Sequence, residues 1–333
     1  MKKILVIRFS SIGDIVLTTP VIRCLKNQLQ DVEIHVLTKK KFSGLYKTNP
    51  YINKVYEYDD SLKKNIEELK LENYDYVVDL QKNKRSVRVT RALGRPHASF
   101  PKLNFRKFLL STFKINIMPD VHIVLDFFIS DKNNFPISEL PVEFQNGYYA
   151  FVIGGTYKTK ILPPVKIAEV LKKINKPVIL LGGPDDVERA EEIISLVNGQ
   201  QTTDNVDINS QIQKDSQIFR FSDFQILNLV GKINLEQSAS IVKNADSVLT
   251  NDTGLMHIAA AFHKNIVSVW GNTVPELGMY PYLPKEPEKC HIIECNDVRC
   301  RPCSKLGFKE CPKKHFRCMM EIDVESIVEN LSK

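Results

Sequence analysis

The feature that most constrains this fold is an alternation of short apolar runs with stretches of helical spacing. The clearest helical stretch is IVLTTPVIRCLKNQL, directly after Asp14. Such an alternation predicts parallel strands joined by crossover helices. The runs that predict strands in the first half are ILVIRF (4–9), VEIHVL (32–37), KVYEY (54–58) and YDYVVDL (74–80).

A polar stretch, SDKNNFPISELPVEFQNG (130–147), interrupts the alternation, which then resumes. The runs that predict strands in the second half are YYAFVIGG (148–155), PVILLGG (177–183), SVLTND (247–252) and NIVSVWGN (265–272). Because 333 residues suffice for two domains of ordinary size, we predict one α/β domain over 1–145 and another over 146–333. The stretch 199–217 has no periodicity and is predicted to be a surface excursion.

Composition and charge narrow the class of protein. The chain is 43% hydrophobic and 26% charged, with a formal charge of +7 that favours an anionic partner. Arg8 and Asp14 interrupt the first apolar run, and no segment approaches the roughly 18 to 20 apolar residues of a membrane span. Only Cys24 lies outside the last 45 residues, which argues against a disulfide framework for the whole chain. We expect a cytoplasmic protein that is soluble or peripheral to a membrane.

Glycine- and threonine-rich turns follow the predicted strands of the second half. No G-x-G-x-x-G follows the first strand and no G-x-x-x-x-G-K-[ST] occurs, which argues against a dinucleotide dehydrogenase and a P-loop NTPase. The turns are GGT (154–156), GGP (182–184), NDTG (251–254) and GNT (271–273). In an open α/β sheet, ligands bind at the edge formed by such turns.

The turn NDTG within NDTGLMHIAAAF has the most specific chemistry. Thr253 and Gly254 are predicted to open a helix whose free N–H groups point at an anion such as a pyrophosphate. His257, one turn later, either adds a donor to that anion or packs inside the protein. Asp252 would repel a phosphate, so it either faces sugar hydroxyls or caps the helix.

Four segments in this order, IRFSSIGDIVLTTPVI, GGTYKTKILPPVKIAEVL, GGPDDVERAEEI and NDTGLMHIAAAF, resemble the heptosyltransferases of lipopolysaccharide core assembly, glycosyltransferase family 9. The resemblance implies a GT-B fold, with two Rossmann-like domains whose parallel sheets face a central cleft. It implies inverting transfer of heptose from ADP-heptose on the second domain to an acidic lipopolysaccharide inner-core acceptor on the first, without metal or cofactor. The expected place is the cytoplasmic face of the inner membrane.

Two other function classes stay open at this point. A transferase or epimerase that uses another nucleotide sugar would need the same phosphate-binding turns. A nucleic-acid-binding protein would use the basic residues described below. Transfer of heptose, with no nucleic acid as partner, is the function that the resemblance favours.

The resemblance also implies roles for individual residues. Asp14 matches the general base that takes the proton of the acceptor hydroxyl, and its alternative role is to cap a helix over 15–29. Lys160, in TYKTKILP, matches a lysine that supports the pyrophosphate in place of a metal ion, and its alternative is a solvated surface lysine. Asp186 matches an acid near the ribose, or else caps a helix. The predicted donor-binding set is Thr156, Lys160, Asp186, Ile233 beside the adenine, Asp252, Thr253, Gly254 and His257.

A basic run from Lys82 to Lys114 contains no acidic residue. Arg85, Arg88 and Arg91 would share one helix face, and we expect them, with Ser11, to bind the carboxylates and phosphates of the acceptor. The aromatic, basic part at 102–114 would suit an anionic membrane surface. A solvated helix face and a binding site for single-stranded nucleic acid are the alternatives.

The segment 290–318 is rich in cysteine. Cys300, Cys303, Cys311 and Cys318 can supply four ligands to a structural zinc ion, or can be reduced thiols packed in a loop. The final stretch IDVESIVENLSK predicts an amphipathic closing helix over 322–332.

Overall fold

The computed structural model describes residues 1–59, 61–99, 110, 114, 137–197, 202–206, 216–221 and 224–333. Contacts between residues divide the chain into two compact units. The first contains the described residues up to Ser99, and the second contains the described residues from Ile137 onward together with Leu110 and Lys114. Each unit has helices and a parallel or mostly parallel sheet, so the predicted α/β class is confirmed.

The first unit contains a five-stranded sheet in the order β3-β2-β1-β4-β5, and all neighbours are parallel. The strands are β1 (Lys2–Ile7), β2 (Val32–Lys39), β3 (Lys54–Tyr58), β4 (Tyr76–Asp79) and β5 (His97–Ser99). β1 is central because its side chains are apolar on both faces, and Leu5, Val6 and Ile7 are fully buried. The short β5 was not predicted, since its residues HAS carry no apolar pattern.

The helices of the first unit follow its strands. They are Ile12–Val16, Thr19–Gln28, Gly44–Lys47, Leu62–Leu71 and Lys84–Leu93. The single helix predicted over 15–29 is wrong, because the chain forms two helices with a break at Leu17 and Thr18. Pro20 lies in the first turn of the second helix. A backbone N–H at that position has no intrahelical acceptor, so the lack of an N–H in proline costs no helical hydrogen bond.

The second unit contains an eight-stranded sheet in the order β13-β12-β11-β6-β7-β10-β9-β8. Its strands are β6 (Tyr149–Val152), β7 (Val178–Leu181), β8 (Thr202–Val206), β9 (Ser216–Arg220), β10 (Gln225–Asn228), β11 (Ser247–Asn251), β12 (Asn265–Trp270) and β13 (Cys290–Glu294). β9 pairs antiparallel with both β8 and β10, and the other pairs are parallel.

Two of these strands correct the excursion predicted over 199–217. Residues 202–206 and 216–217 belong to β8 and β9, and the rest of that stretch lies outside the described residues. Antiparallel pairing is satisfied by backbone groups, so a polar sequence such as TTDNV forms a strand without an apolar alternation to reveal it.

The helices of the second unit cover the faces of this sheet. The helices are Val142–Gln145, Pro164–Leu171, Val187–Leu196, Leu235–Asn244, Gly254–Ala261, Arg317–Met320 and Val324–Leu331. The predicted closing helix is present as Val324–Leu331, and Ile327 and Leu331 are buried in the core of this unit. Ser247 in β11 donates from Oγ to the carbonyl of Leu331 at 2.7 Å, which fixes the end of the helix to the sheet.

The strand order of the second sheet places five turns side by side. β12, β11, β6, β7 and β10 are consecutive neighbours and are all parallel, so their carboxyl ends meet at one edge of the sheet. The turns at that edge are 271–273, 252–254, 153–156, 182–184 and 229–233. We call this the five-turn edge, and it is the position at which open α/β sheets bind ligands.

Candidate active site

Asp14 lies in the first turn of the helix Ile12–Val16 and not before it. Ser11 is the N-cap residue, and the Oδ2 atom of Asp14 accepts hydrogen bonds from the Ser11 backbone N–H at 3.0 Å and from Ser11 Oγ at 2.9 Å. This is the carboxylate half of a capping box, so a capping contribution of Asp14 is present, although at the third helical position. The side chain of Asp14 remains 35% exposed, which leaves it accessible to a substrate.

The buried side chain of Arg8 also contacts Asp14. Its Nη2 atom lies 2.6 Å from Asp14 Oδ2, and its Nη1 atom donates to the carbonyl of Leu80 at the end of β4. Gln81, next in the chain, accepts through Oε1 from the backbone N–H groups of Phe9 at 2.8 Å and Ser10 at 3.2 Å. The turn that carries Asp14 is therefore fixed to the neighbouring strand by side chains as well as by the sheet.

Arg85, Arg88 and Arg91 lie on the exposed face of the helix Lys84–Leu93. Ser86 and Val89 on the opposite face are fully buried, which explains the orientation of the helix. None of the three arginines forms an ion pair with a residue that the structure describes. The helix thus presents unneutralised positive charge to solvent.

The rest of the basic run is only partly described. Phe100, Phe105, Phe108 and Phe113, with the remainder of 100–113 except Leu110, lie outside the described residues. Lys114 donates from Nζ to the backbone carbonyls of Cys300 and Pro302 in the second unit. Lys114 therefore stabilises the cysteine-rich segment and does not extend the arginine face.

Lys160 forms an ion pair with Asp252 at the five-turn edge. The two side chains are 16% and 11% exposed, so the interpretation of Lys160 as a solvated surface lysine is wrong. Thr273 donates from Oγ1 to Asp252 Oδ2 at 3.2 Å, which connects a third turn to the pair. The pair places a cation and an anion together at the position where a charged ligand would bind.

The helix Gly254–Ala261 begins beside this pair. Thr253, and not Asp252, is its N-cap residue, with an extended backbone. A Cβ atom on Gly155 would lie 3.7 Å from Thr253 Cγ2, so the turn that carries Thr156 packs against the helix start. The first N–H groups of a helix have no intrahelical acceptor and carry partial positive charge. His257 is 2% exposed, as expected for a packed residue.

Asn251 connects three segments of the second unit through its buried side chain. Its Nδ2 atom donates to the carbonyls of Val152 at 3.3 Å and Gly154 at 3.2 Å, and its Oδ1 atom accepts from the Leu162 N–H at 3.0 Å. The turns after β6 and β11 and the segment that follows Lys160 are therefore held in fixed register.

Asp186 is a buried side chain between two turns. Its Oδ2 atom accepts from the Gly183 N–H at 2.9 Å, and Oδ1 pairs with Arg189 one turn along the helix. A Cβ atom on Gly154 would lie 2.1 Å from Asp186 Oδ2, so any side chain there would displace the carboxylate. Capping of the local turn by Asp186 is thus observed.

Ile233 lies half-buried in the turn that follows β10. Gly231 in the same turn has φ +73°, donates its N–H to the Gly182 carbonyl at 3.1 Å, and could not carry a Cβ atom without contacting Val187 Cγ2 at 2.9 Å. A cavity of about 650 Å³ opens beside this turn, with Val187, Asn228 and Lys232 among its lining residues.

The cysteine-rich segment contacts the turn that carries Lys160. Thr159 is 2% exposed, and its Oγ1 atom donates to the Phe308 carbonyl at 3.0 Å and accepts from the Phe308 N–H at 2.8 Å. The Cys303 N–H donates to the Asn272 carbonyl at 2.9 Å. The segment therefore stabilises the turn 271–273 of the five-turn edge and the short helix Lys158–Lys160 that carries Lys160.

The described cysteines do not assemble the predicted zinc site. Cys300 Sγ lies 3.9 Å from Cys303 Sγ and 3.8 Å from His315 Nε2, and Cys318 is buried in the core. No group of three or more His, Cys, Asp or Glu side chains among the described residues can hold a metal ion. Burial raises the pKa of Cys303 to about 11 and that of Cys318 to about 12, so both are protonated thiols at neutral pH.

Sequence reasoning missed three side chains that organise the two sites. Arg8, Thr159 and Asn251 are buried polar residues, and each makes several hydrogen bonds or ion contacts. For Arg8 and Asn251 the available signal was a polar residue at the end of an apolar strand, because burial there requires it to find partners, whereas nothing in the sequence marked Thr159. The partners themselves belong to distant segments and could not be read from spacing.

Comparison with known proteins identifies a family and several relatives that this chain resembles. The sequence profile described as glycosyltransferase family 9 (heptosyltransferase) matches residues 114–309. The Campylobacter coli protein named lipopolysaccharide heptosyltransferase 1 is 26% identical over 311 residues, which cover 81% of this chain and 84% of that protein. Within the described parts of the chain, no helix has the length and apolar character needed to cross a membrane.

Two solved structures have a similar fold. The Escherichia coli ADP-heptose lipopolysaccharide heptosyltransferase II has a TM-score of 0.71 at 19% identity, over 100% of this chain and 98% of that one. The Escherichia coli heptosyltransferase WaaC with ADP-2-deoxy-2-fluoro heptose has a TM-score of 0.62 at 18% identity, over 99% of each chain. At such identities the likeness shows the fold alone, and it confirms the predicted GT-B class.

The family profile includes the segments of the second unit that carry the sequence resemblance. It includes the turns after β6, β7, β10, β11 and β12 and the first part of the cysteine-rich segment. The matched residues 114–309 make up more than half of the 333-residue chain. The chain therefore belongs to glycosyltransferase family 9, the heptosyltransferase family.

Proposed function

We propose that the chain transfers a heptose from ADP-heptose to an acidic sugar of the lipopolysaccharide inner core, with inversion at the anomeric carbon. The observation that carries the proposal is the Lys160–Asp252 pair beside the helix start at Thr253, because it offers charge for a nucleotide sugar without a metal ion. Family membership supports the transferred sugar, and the names of the similar proteins support the acceptor class.

The donor would occupy the five-turn edge of the second unit. The helix start at Thr253 and Gly254, with Lys160, stabilises the pyrophosphate, and Thr156 adds a hydroxyl. Asp252 faces the sugar hydroxyls, while the cavity beside Ile233 has the volume that a nucleoside requires. Asp186 and His257 keep the surrounding turns in place, the former through Gly183 and the latter from within the helix.

The acceptor would bind to the first unit. Asp14 acts as the general base, and Ser11 lies next to it as a hydrogen-bonding group. The exposed face with Arg85, Arg88 and Arg91 binds acceptor carboxylates or phosphates. We assign acceptor binding to residues 1–145, donor binding to residues 146–333, and the reaction to the cytoplasmic face of the inner membrane, where the protein is peripheral.

The reaction is a single displacement. The acceptor hydroxyl gives its proton to the carboxylate of Asp14 as its oxygen attacks the anomeric carbon of the heptose. The bond between that carbon and the donor phosphate breaks, and ADP leaves with the electron pair. Because negative charge grows on the leaving pyrophosphate, Lys160 and the helix start stabilise the transition state more than the ground state.

A donor comparison tests the proposal. Purified protein is incubated with a lipopolysaccharide core acceptor and with ADP-heptose, ADP-glucose or UDP-sugars, with EDTA present and no added metal, and the anomeric configuration of the product is measured by NMR. We expect transfer of heptose with inversion in EDTA. Transfer from a UDP-sugar instead would favour the other class of nucleotide-sugar enzyme, and strict dependence on magnesium or manganese would contradict the role of Lys160. Tight, salt-sensitive binding of oligonucleotides that ADP does not affect would favour a nucleic-acid-binding protein.

A further inference from the structure

The hydrogen bonds to Asp14 are distributed unequally between its two oxygens. Oδ2 accepts two hydrogen bonds, from the Ser11 N–H at 3.0 Å and from Ser11 Oγ at 2.9 Å, and it also forms the ion pair with Arg8 Nη2 at 2.6 Å. No described residue donates to Oδ1. Two hydrogen bonds and an ion pair at one oxygen restrict the orientation of the carboxylate, so its other oxygen has a defined direction and remains available to a substrate.

The geometry points to Arg8 as a positioning residue for the base, one that fixes Asp14 so that Oδ1 takes the proton of the acceptor hydroxyl. This inference rests on the proposed function, because it requires Asp14 to be the general base. Arg8 itself is 9% exposed at the side chain, so it does not reach the acceptor and acts through Asp14.

The buried environment of Arg8 favours this contact. Its Nη1 atom donates to the Leu80 carbonyl, its Nε atom is buried without a described hydrogen-bond partner, and Asp14 is the carboxylate with which it pairs among the described residues. A buried guanidinium requires an anion, because an unpaired charge away from water is strongly unfavourable. The contact with Asp14 therefore constrains both side chains.

The backbone around Arg8 is equally constrained. The Arg8 N–H donates to the Leu37 carbonyl at 3.1 Å, and Gln81 Oε1 accepts from Phe9 and Ser10. The Arg8 backbone is thus fixed to β2, while its guanidinium is fixed to the carbonyl of Leu80 just after β4. Displacement of a reacting group by about 1 Å can lower a rate by about a hundredfold, so rigidity at this point has a direct kinetic consequence.

The test compares Arg8→Gln and Arg8→Lys with Arg95→Gln as the matched control, since Arg95 is an exposed arginine of the same unit whose side chain bonds only Asn73 among the described residues. Transfer from ADP-heptose to the core acceptor gives kcat and KM, and calorimetry gives the affinity for ADP. We expect Arg8→Gln to lower kcat by about a hundredfold while both the acceptor KM and the affinity for ADP stay within about twofold. Arg8→Lys should fall between, and Arg95→Gln should match the wild type.

Two further measurements separate positioning from folding. Added guanidinium at millimolar concentration should restore part of the activity of Arg8→Ala, which a general loss of stability would not allow. In an Asp14→Asn background, Arg8→Gln should produce no further loss, because Arg8 acts through the carboxylate. If Arg8→Gln does not fold, Arg8→Lys decides, since an ammonium cannot reach Leu80 and Asp14 together.

The kinetic results distinguish the general-base role of Asp14 from the positioning role of Arg8. If Asp14→Asn retains wild-type kcat, the proposed base is wrong and the proposed mechanism fails with it. If Asp14→Asn is inactive while folded Arg8→Gln or Arg8→Lys retains wild-type kcat, Asp14 remains the base and the positioning role of Arg8 is overturned. Equal losses from Arg8→Gln in the wild-type and Asp14→Asn backgrounds would also overturn it.

Discussion

Lys160 and Asp252 form an ion pair between the turn after β6 and the turn after β11. Asp252 also accepts from Thr273, so three neighbouring turns of the sheet meet at one carboxylate. The carboxylate holds the ammonium group beside the helix that starts after Thr253. In the proposed mechanism Lys160 is therefore already oriented before the anionic donor binds, so little reorganisation is needed when charge develops on the leaving group.

Replacement of Lys160 by Met should lower kcat by about a hundredfold, the usual effect of removing one group that stabilises a developing anion. The matched control is Lys158→Met, because Lys158 belongs to the same short helical turn but is exposed. Steady-state transfer kinetics with ADP-heptose measure both variants. Equal effects of the two substitutions would show that only the overall charge of the turn matters.

The sequence predicted the sheet positions well where strands are apolar on both faces. β1, β6, β7, β11 and β12 are such strands, and the turns after four of them were identified as candidate ligand-binding turns from Gly and Thr alone. Parallel packing makes this possible, because it buries both faces and moves polar residues to the strand ends. The fold class and the region that we propose for the donor followed from that pattern.

The contacts within the site could not be predicted in the same way. The partner of Asp252 is Lys160 and not the adjacent helix, and the partner of Asp14 is Arg8 as well as Ser11. Local capping rules consider only neighbours in sequence, whereas these partners come from other strands or from a preceding turn. The edge strand β8 was missed because its polar sequence TTDNV has no apolar period, and the neighbouring β9 was missed because the five residues SQIFR are too few to show one.

Thr159→Val should reduce activity although Thr159 contacts no proposed substrate group. The substitution removes the hydroxyl that donates to the Phe308 carbonyl and accepts from the Phe308 N–H. Both backbone groups then lose a hydrogen bond to Thr159, so the turn with Lys160 becomes less fixed. We expect kcat to fall by about tenfold and Thr159→Ser to retain most activity. Equal activity of Thr159→Val and wild type would show that the cysteine-rich segment does not support the donor turn.

Replacement of Arg85, Arg88 and Arg91 by Gln should raise the acceptor KM by about tenfold and leave the affinity for ADP unchanged. The three side chains lie on one exposed helix face of the first unit, while the donor turns belong to the second. Added salt should weaken acceptor binding to the wild type more than to the triple variant, because exposed charges are screened. A solvated face without a binding role predicts no kinetic change, and Lys63→Gln with Lys64→Gln provides a control on another exposed helix.

Cys303 and Cys318 should react slowly with iodoacetamide in the native protein. Only the thiolate reacts, and burial raises their pKa values to about 11 and about 12, so both retain the proton at pH 7.5. Their rates should increase as pH rises toward those values, whereas the exposed Cys24 should be modified first. Peptide mapping by mass spectrometry gives each rate, and rapid modification of Cys303 at pH 7.5 would contradict a protonated, partly buried thiol.

The most direct test of the central claim is the rate of heptose transfer by Asp14→Asn in EDTA, measured with ADP-heptose and a lipopolysaccharide core acceptor. The amide has nearly the same shape as the carboxylate but cannot take the acceptor proton. The account predicts a loss of about a hundredfold or more in kcat, with thermal unfolding and the affinity for ADP close to those of the wild type. A folded Asp14→Asn protein that transfers heptose within a few-fold of the wild-type rate would contradict it.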